Sequence, residues 1–339
     1  MSEPQPPETE PKTAARVWNH APALPIRNSA VFVWPPQPGA ALRRIVLRWV
    51  SLTPAAVLLV TAVLVWAFLQ PAAETTAHLA PRWILGVWLR NLGLMALFAG
   101  GLHLWLHDRQ GQGNRLRYDA RPMQRGNAAF SFRDQVRDNV FWTLASGVTF
   151  WTLFEVAYLW GAANGVFPTF ALADNWHWAL LWLLVLPLFT SAHFYWVHRL
   201  LHWPPLYRRV HALHHRSVNV GPWSGLSMHP VESALYLSAP LIHMIVPSHP
   251  LIFLLHMYLK AIGPAFSHAG FQAVLTGDTD DAGRVIDAGD FHHQLHHRYY
   301  ECNYGTTEVP WDHWFGTFHD GSEEATQRIR ARRKRMHVD

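Results

Sequence analysis

Eighteen of the 23 histidines in this 339-residue chain fall in its last 147 positions, and their spacing is that of metal ligands. His198-Arg-Leu-Leu-His202 is followed by His211-Ala-Leu-His214-His215, then by His268, then by His293-Gln-Leu-His296-His297. On a helix, residues three and four apart share a face. Each motif therefore aims two or three imidazoles in one direction. A structural zinc takes about four ligands and a catalytic one about three, so nine neutral imidazoles in one place point to two metals with four or five nitrogens each. Imidazole serves iron, copper, zinc and nickel alike, and spacing leaves the identity of the metal open. Cys302 is the single cysteine, which excludes an intrachain disulfide framework and any multi-cysteine zinc or iron–sulfur site. Histidine must hold whatever metal is bound.

The remaining histidines fit blander roles. His103-Leu-Trp-Leu-His107 repeats the four-residue step but stands alone, and is expected in interfacial packing or behind the ligands. His243, His249 and His256 have no helical partner at ligand spacing and read as cavity-lining or interfacial. His313, His319 and His337 are expected in solvent.

The elements that must position the ligands are membrane helices. Charged residues make up 15% of the chain, against roughly 25% in ordinary soluble domains. The net charge of +5 would suit nucleic acid or anionic lipid, and hydropathy decides for the membrane. Residues 50–69 carry no charge over 20 positions, about the length of a spanning helix. Further spans are expected at 83–106, with Arg90 near the start, at 140–159, with Glu155 as the only ionisable residue, and at 176–197. Residues 233–259 are uncharged but broken by Pro240, Pro247 and Pro250. Split at Pro247, they give two limbs of ~21 Å, each short of a ~30 Å bilayer core, so a re-entrant hairpin is expected. Arg43, Arg44 and Arg48 precede the first span and seven arginines separate the second from the third, whereas residues 160–175 hold no Lys or Arg. Short cytoplasmic loops retain Lys and Arg; both termini and the histidine motifs are therefore expected on the cytoplasmic side. Trp66, Trp83, Trp88, Trp142, Trp160, Trp176 and Trp178 stand near span ends, as interfacial rings do.

The fold expected is all-α: a polytopic membrane helical bundle of about four spanning helices plus a re-entrant hairpin, with a cytoplasmic histidine-rich helical catalytic cap. Residues 1–42, rich in Pro, Glu and Ala, read as a disordered or surface lead without a cleaved signal peptide. Residues 43–139 hold two spans and a basic linker, 140–319 the catalytic region, and 320–339 a basic tail. The tail has six basic residues in the eight from Arg328 to Arg335, which suits anionic headgroups. No nucleic-acid reader fold accompanies it, and no nucleic-acid partner is expected.

Taken in order, His198-Arg-Leu-Leu-His202, His211-x-x-His214-His215, Met228-His229-Pro230-Val231-Glu232, Ser267-His268-Ala269-Gly270, His293-x-x-His296-His297, Asn303-Tyr304-Gly305 and Trp311-Asp312-x-x-Phe315-Gly316-Thr317 resemble the fatty acid hydroxylase/sterol desaturase superfamily. Its members are integral membrane non-haem di-iron enzymes, and the resemblance covers residues 140–319. It implies two iron ions (Fe2+) on the nine histidines, O2 as co-substrate, and hydroxylation or desaturation of a membrane lipid. It implies a location in the plasma membrane of a bacterium or the endoplasmic reticulum of a eukaryote. No flavin or nicotinamide fingerprint is present, so electrons must come from a separate electron-transfer protein or reductase. His193 replaces an acidic residue common in relatives, and its five-residue step to His198 makes it a substitute or additional ligand. His229 and His292 match family histidines that serve as ligands or stand behind them. Asn303 and Asp312 are expected to orient loops or imidazole N–H groups. Phe194, Tyr195, Trp196, Trp203 and Trp223, beside the ligands, are expected to wall a dry lipid pocket. Two other classes compete, a histidine-rich transmembrane metal transporter and a di-haem membrane cytochrome. Against the first, the clusters stand just outside the spans. Against the second, adjacent histidine pairs suit a dinuclear centre better than haem.

Overall fold

The computed structural model describes residues 18–51, 53–275 and 285–336. His337 and the start of the lead lie outside the described residues. The described part of the lead, from Trp18, runs over the histidine region: Ile26 N donates to Asp320 O at 2.9 Å and Ser29 N to Thr307 O at 3.0 Å.

Helix α1 (Pro38–Val50) is amphipathic and carries Arg43, Arg44 and Arg48. Helix α2 (Pro54–Phe68) is apolar all round and is capped by the Thr53 hydroxyl, which accepts from Ala56 N at 3.2 Å. The expected span at 50–69 is filled from Pro54 onward by α2, entered through a bend from α1. Pro54 lacks an N–H and forces Thr53 into extended backbone (φ −101°, ψ 157°), so α1 and α2 meet at a 42° bend. Helix α2 alone is ~22 Å long. Its start lines a cavity beside the histidines, while Trp66 near its end meets the ring of His249 at 5.0 Å.

Four helices are long and apolar enough to cross a membrane: α3 (Pro81–Asp108), α4 (Gln135–Ala163), α5 (Trp176–Leu201) and, after a helical stretch over 204–215 (α6) and α7 (Pro230–Tyr236), α8 (Pro250–Ser267). These make a multi-pass membrane protein. Three coincide with expected spans and the fourth does not. The chain does turn back at Pro247, but the hairpin reaches farther than two short limbs would. Pro247 O accepts from Trp178 Nε1 at 2.8 Å and Trp182 Nε1 at 3.0 Å, both in the opening turns of α5. His198 lies ~24–30 Å further along that helix. The return limb looked short because Lys260 seemed to end it. In the fold Lys260 is only 2% exposed, and α8 continues past it to Ser267.

Helix α8 is the centre of the core. Phe253 stacks on Tyr158 of α4 with centroids 3.8 Å apart, and Trp151 meets Tyr258 edge-on at 5.5 Å. Leu180, Leu184 and Leu188 of α5 face outward at helical spacing, as a lipid-facing stripe would. Beyond α8, the strands β1 (Ala273–Leu275) and β2 (Val285–Asp287) pair antiparallel, Val274 opposite Ile286. Then come α9 (Phe291–Tyr299), the short helix Trp311–Trp314 and α10 (Glu323–Met336).

The apolar bundle also buries one ion pair. Glu155 is wholly buried and pairs with Arg90; its second oxygen accepts from Asn91 Nδ2 at 3.0 Å, and Asn91 Oδ1 accepts from Arg90 at 2.9 Å. Removing one member of such a pair strands the other charge, whereas removing both is nearly neutral. Glu155→Ala should therefore cost ~3–5 kcal/mol, and Arg90→Met/Glu155→Met should recover most of it, as read by thermal unfolding in lipid nanodiscs.

Candidate metal centre

The nine histidines come from four short pieces of chain, each stopped or turned by its own sequence. His198 occupies the last turn of α5 and His202 its C-cap, after which Trp203-Pro204 turns the chain into α6. A widened turn at Tyr207–His211 precedes His214 and His215, the kind of helical bulge often found at functional sites. His268 follows α8 directly. Asp290 caps α9, accepting from His293 N at 3.2 Å. Gly289 must precede it: φ is +81°, and a side chain there would run into Phe271 O.

The structure gathers all nine into two buried groups, His198, His202, His211, His215 and His296 in one, His214, His268, His293 and His297 in the other. The two His-x-x-His-His motifs interlock. Each gives its i, i+4 pair to one group and its middle histidine to the other. The geometry of a helix allows this: i and i+4 lie ~40° apart around the axis, while i+3 points ~60° to the other side. In the first group, Nε2 atoms stand 3.0 Å apart for His211–His215 and His215–His296, 3.1 Å for His198–His211, and 3.2 Å for His202–His215 and His202–His296. In the second, His268, His293 and His297 form a triangle of 3.2 Å sides.

The His198–His211 contact is not a hydrogen bond, because the outer nitrogens of both rings are already committed, and His268 and His296 are held in the same way. His198 Nδ1–H donates to Tyr304 O at 2.7 Å, His296 Nδ1–H to Cys302 O at 2.6 Å, and His211 Nδ1–H to Glu232 Oε1 at 2.8 Å. His268 Nδ1–H donates to Pro264 O at 3.1 Å. Each such imidazole, when neutral, presents a bare lone pair on Nε2. Neutral is the state they hold: burial first, then neighbouring imidazoles, push His202, His211, His215, His293, His296 and His297 well below the ordinary histidine value. Two lone pairs 3.1 Å apart in a dry interior, as at His198 and His211, call for a cation between them. Nitrogens each ~2.0–2.1 Å from one shared ion can stand this far apart. The residues therefore fit a metal in each group, and the close packing leaves no room for a haem between ligands.

Asn303 and Asp312 hold the loop that supplies two of the supporting carbonyls. Asp312 accepts from Tyr304 N at 2.8 Å, Gly305 N at 2.7 Å and Thr317 Oγ1 at 2.6 Å. Asn303 sits at φ +53°, donates to His292 O and His319 O at 3.0 Å each, and accepts from His319 N at 2.7 Å. His107 Nε2 bonds Ala269 O at 3.0 Å, next to His268.

Three histidines expected as extra ligands or supports lie outside both groups. His193 Nε2 bonds Ser238 Oγ at 2.9 Å. His229 caps α7, its Nδ1 accepting from Val231 N at 3.2 Å. His292 Nε2 is 3.7 Å from Asp312 Oδ2. His319, expected in solvent, is buried, with its ring stacked on Tyr299 at 4.8 Å.

A cavity of about 290 Å³ opens onto His198, His211, His214, His268 and His293. Of the five aromatic residues expected to wall it, Phe194 does. Tyr195 points the other way, stacking on Trp311 and Phe315, with its hydroxyl accepting from Arg199 at 2.7 Å. Trp196 and Trp203 are half exposed or more, and Trp223 lies against Gly100 of α3. Adjacency in sequence cannot choose a helix face, and these four are corrected for that reason. The walls instead include Leu58, Val197, Leu201, Met228, Tyr236 and Leu259; Arg48, Asp290 and Glu308 line it too, as do Glu232 and Lys260. Sequence reasoning assigned neither of the last two a role. Glu232 stood in plain view four residues after Met228, while Lys260 looked like the end of an apolar run.

Residues 182–317, which contain all nine histidines, match the fatty acid hydroxylase family model. The chain is similar to the Delta(7)-sterol 5(6)-desaturase ERG3B of Gibberella zeae, 32% identical over 146 residues, 42% of this chain and 43% of that protein. It is also similar to the Delta(7)-sterol 5(6)-desaturase of Saccharomyces cerevisiae, 30% identical over 132 residues, 38% of this chain and 34% of that protein. A third relative, from Aspergillus fumigatus, is 29% identical over 160 residues, 42% of this chain and 50% of that protein. The matches thus span a third to a half of the relatives' length. No solved structure matches the chain.

Carboxylates behind ligating histidines set ring orientation, and their loss lowers metal affinity ~10–100-fold. Glu232→Ala should do so here, measured by competition with a chelator. Glu232→Gln, which keeps an acceptor for His211 Nδ1–H, should lose less.

Proposed function

From a histidine region of the fatty acid hydroxylase/sterol desaturase superfamily, we propose that this protein is a membrane-bound di-iron oxidoreductase that uses O2 to hydroxylate or desaturate a lipid. The observation that carries the reading is the pair of interlocked all-nitrogen groups, five of whose histidines line one cavity with Leu58, Val197, Leu201, Met228 and Leu259. Iron, bound there, supplies O2-dependent oxidation of an unactivated C–H bond.

The chain's own residues do the rest. The nine histidines would hold two ions, one in each group, and the carbonyls of Tyr304, Pro264 and Cys302 with the Glu232 carboxyl keep His198, His268, His296 and His211 in the tautomer that can bind. Leu58, Leu201, Met228 and Leu259 exclude water from the histidines and grip an apolar chain by its surface. A lipid can enter from the bilayer between α2 and α5, both of which line the cavity. Electrons come from a separate donor protein on the side of the histidines. The arginine bias of the loops supports a cytoplasmic face for that side and for both termini.

Purified protein should hold about two irons per chain, one for each group. His214→Ala and His296→Ala, one from each group, should both lower iron and abolish product. Lipids from cells with and without the protein, compared by mass spectrometry, should differ by an added oxygen or a lost pair of hydrogens. Wild-type iron content and turnover in both variants would refute the proposal, and a strong Soret band would replace it with a haem protein.

A further inference from the structure

Among the described residues, the spanning helices bury two cations, Arg90 and Lys260, in different surroundings. Arg90 is matched by Glu155. Lys260, on α8, has no such partner: its ammonium lies 3.5 Å from the ring centroid of Tyr236 and 5.2 Å from that of Phe194, and among the described residues it forms no ion pair. Yet it is only 2% exposed, and it lines the cavity above the histidine groups together with those two rings.

An ammonium carries three donors and no acceptor. The aromatic faces stabilise its charge from one side, but they accept no full hydrogen bond. A buried charge is tolerated when it is paired or hydrogen-bonded, and an ionisable residue within a spanning helix ordinarily serves function rather than packing. Glu232, Asp290 and Glu308 line the same cavity, but none of them pairs with Lys260 among the described residues, so an oxygen on the occupant can supply the acceptor it lacks.

We propose that Lys260 is the substrate-recognition residue of this cavity: it donates to an oxygen, of a carboxylate, carbonyl or hydroxyl, at the end of the lipid that enters. The inference rests on the reading of the cavity as the substrate site, and it narrows the substrate class. A bare hydrocarbon would leave the donors of Lys260 unmet and would slide freely along the apolar walls. A lipid with an oxygen-bearing end is held at Lys260, and the distance from that oxygen to the histidine floor then sets which carbon lies over the metals. Lys260 acts on register and is a positioning residue.

The test is a thermal-shift titration of the full chain in lipid nanodiscs with dodecanoic acid, dodecan-1-ol and dodecane at matched mole fraction in the lipid. Wild type should prefer the acid or the alcohol over dodecane by at least about tenfold, the worth of one hydrogen bond to a charged group. Which of the two binds more tightly identifies the oxygen. Lys260→Met should bind all three probes alike while keeping wild-type metal content, and Lys260→Arg should keep the preference. Equal binding of the three probes by wild type, or a preference that survives in Lys260→Met, overturns the proposal. If Lys260→Met does not fold, the wild-type order and Lys260→Arg still decide. If no probe binds wild type although iron is present, the reading of the cavity as a lipid site fails, and this proposal fails with it.

Discussion

Everything in the histidine region follows from one electrostatic constraint: imidazole lone pairs aimed at one another in a dry interior repel until a cation stands between them. The Nε2 atoms of His198 and His211 are 3.1 Å apart, and each ring has its only proton engaged on the far side. Such an arrangement survives only if the rings cannot turn away. Backbone carbonyls at Cys302, Tyr304 and Pro264 and the Glu232 carboxyl prevent that turn. Asp312, with three donors converging on its carboxylate, fixes the loop from which Tyr304 reaches His198. Support thus runs at least two layers deep behind the ligands, which is what holds a metal site to its geometry.

The membrane bundle meets a second demand, that an apolar molecule reach this centre without water. Prolines shape the solution. Pro54 separates amphipathic α1 from apolar α2, and Pro247 turns the chain so that α8 can return through the middle of the bundle. Because α8 is shielded by its neighbours, it can carry Lys260 into the interior. Two sets of polar side chains within the spans are treated differently. Arg90, Asn91 and Glu155 satisfy one another and hold helices together. Lys260 faces a cavity.

Much of this was legible in the residues alone, because it depends on local periodicity. Four- and three-residue steps between histidines are properties of a helix, and runs of uncharged residues are properties of a bilayer; the nine histidines and three of the four long helices follow from them. What failed did so where a helix face or a long-range partner decides. Trp196 and Trp203 stand beside ligands in sequence and point outward in space. His319 has no partner at ligand spacing, yet Tyr299 and the Asn303 loop bury it.

The sequence by itself determined that histidine, and not cysteine, must hold any metal, that two ions suit the count, and that apolar helices must carry the site. Only the tertiary structure decided how the nine are shared. Helical twist sends His214 away from His211 and His215, and His296 away from His293 and His297, and the docking of α9 against α6 turns those two strays into members of each other's groups. It also decided that Lys260 lies inside rather than at the end of a helix, since burial depends on what packs around a residue and not on the residues next to it.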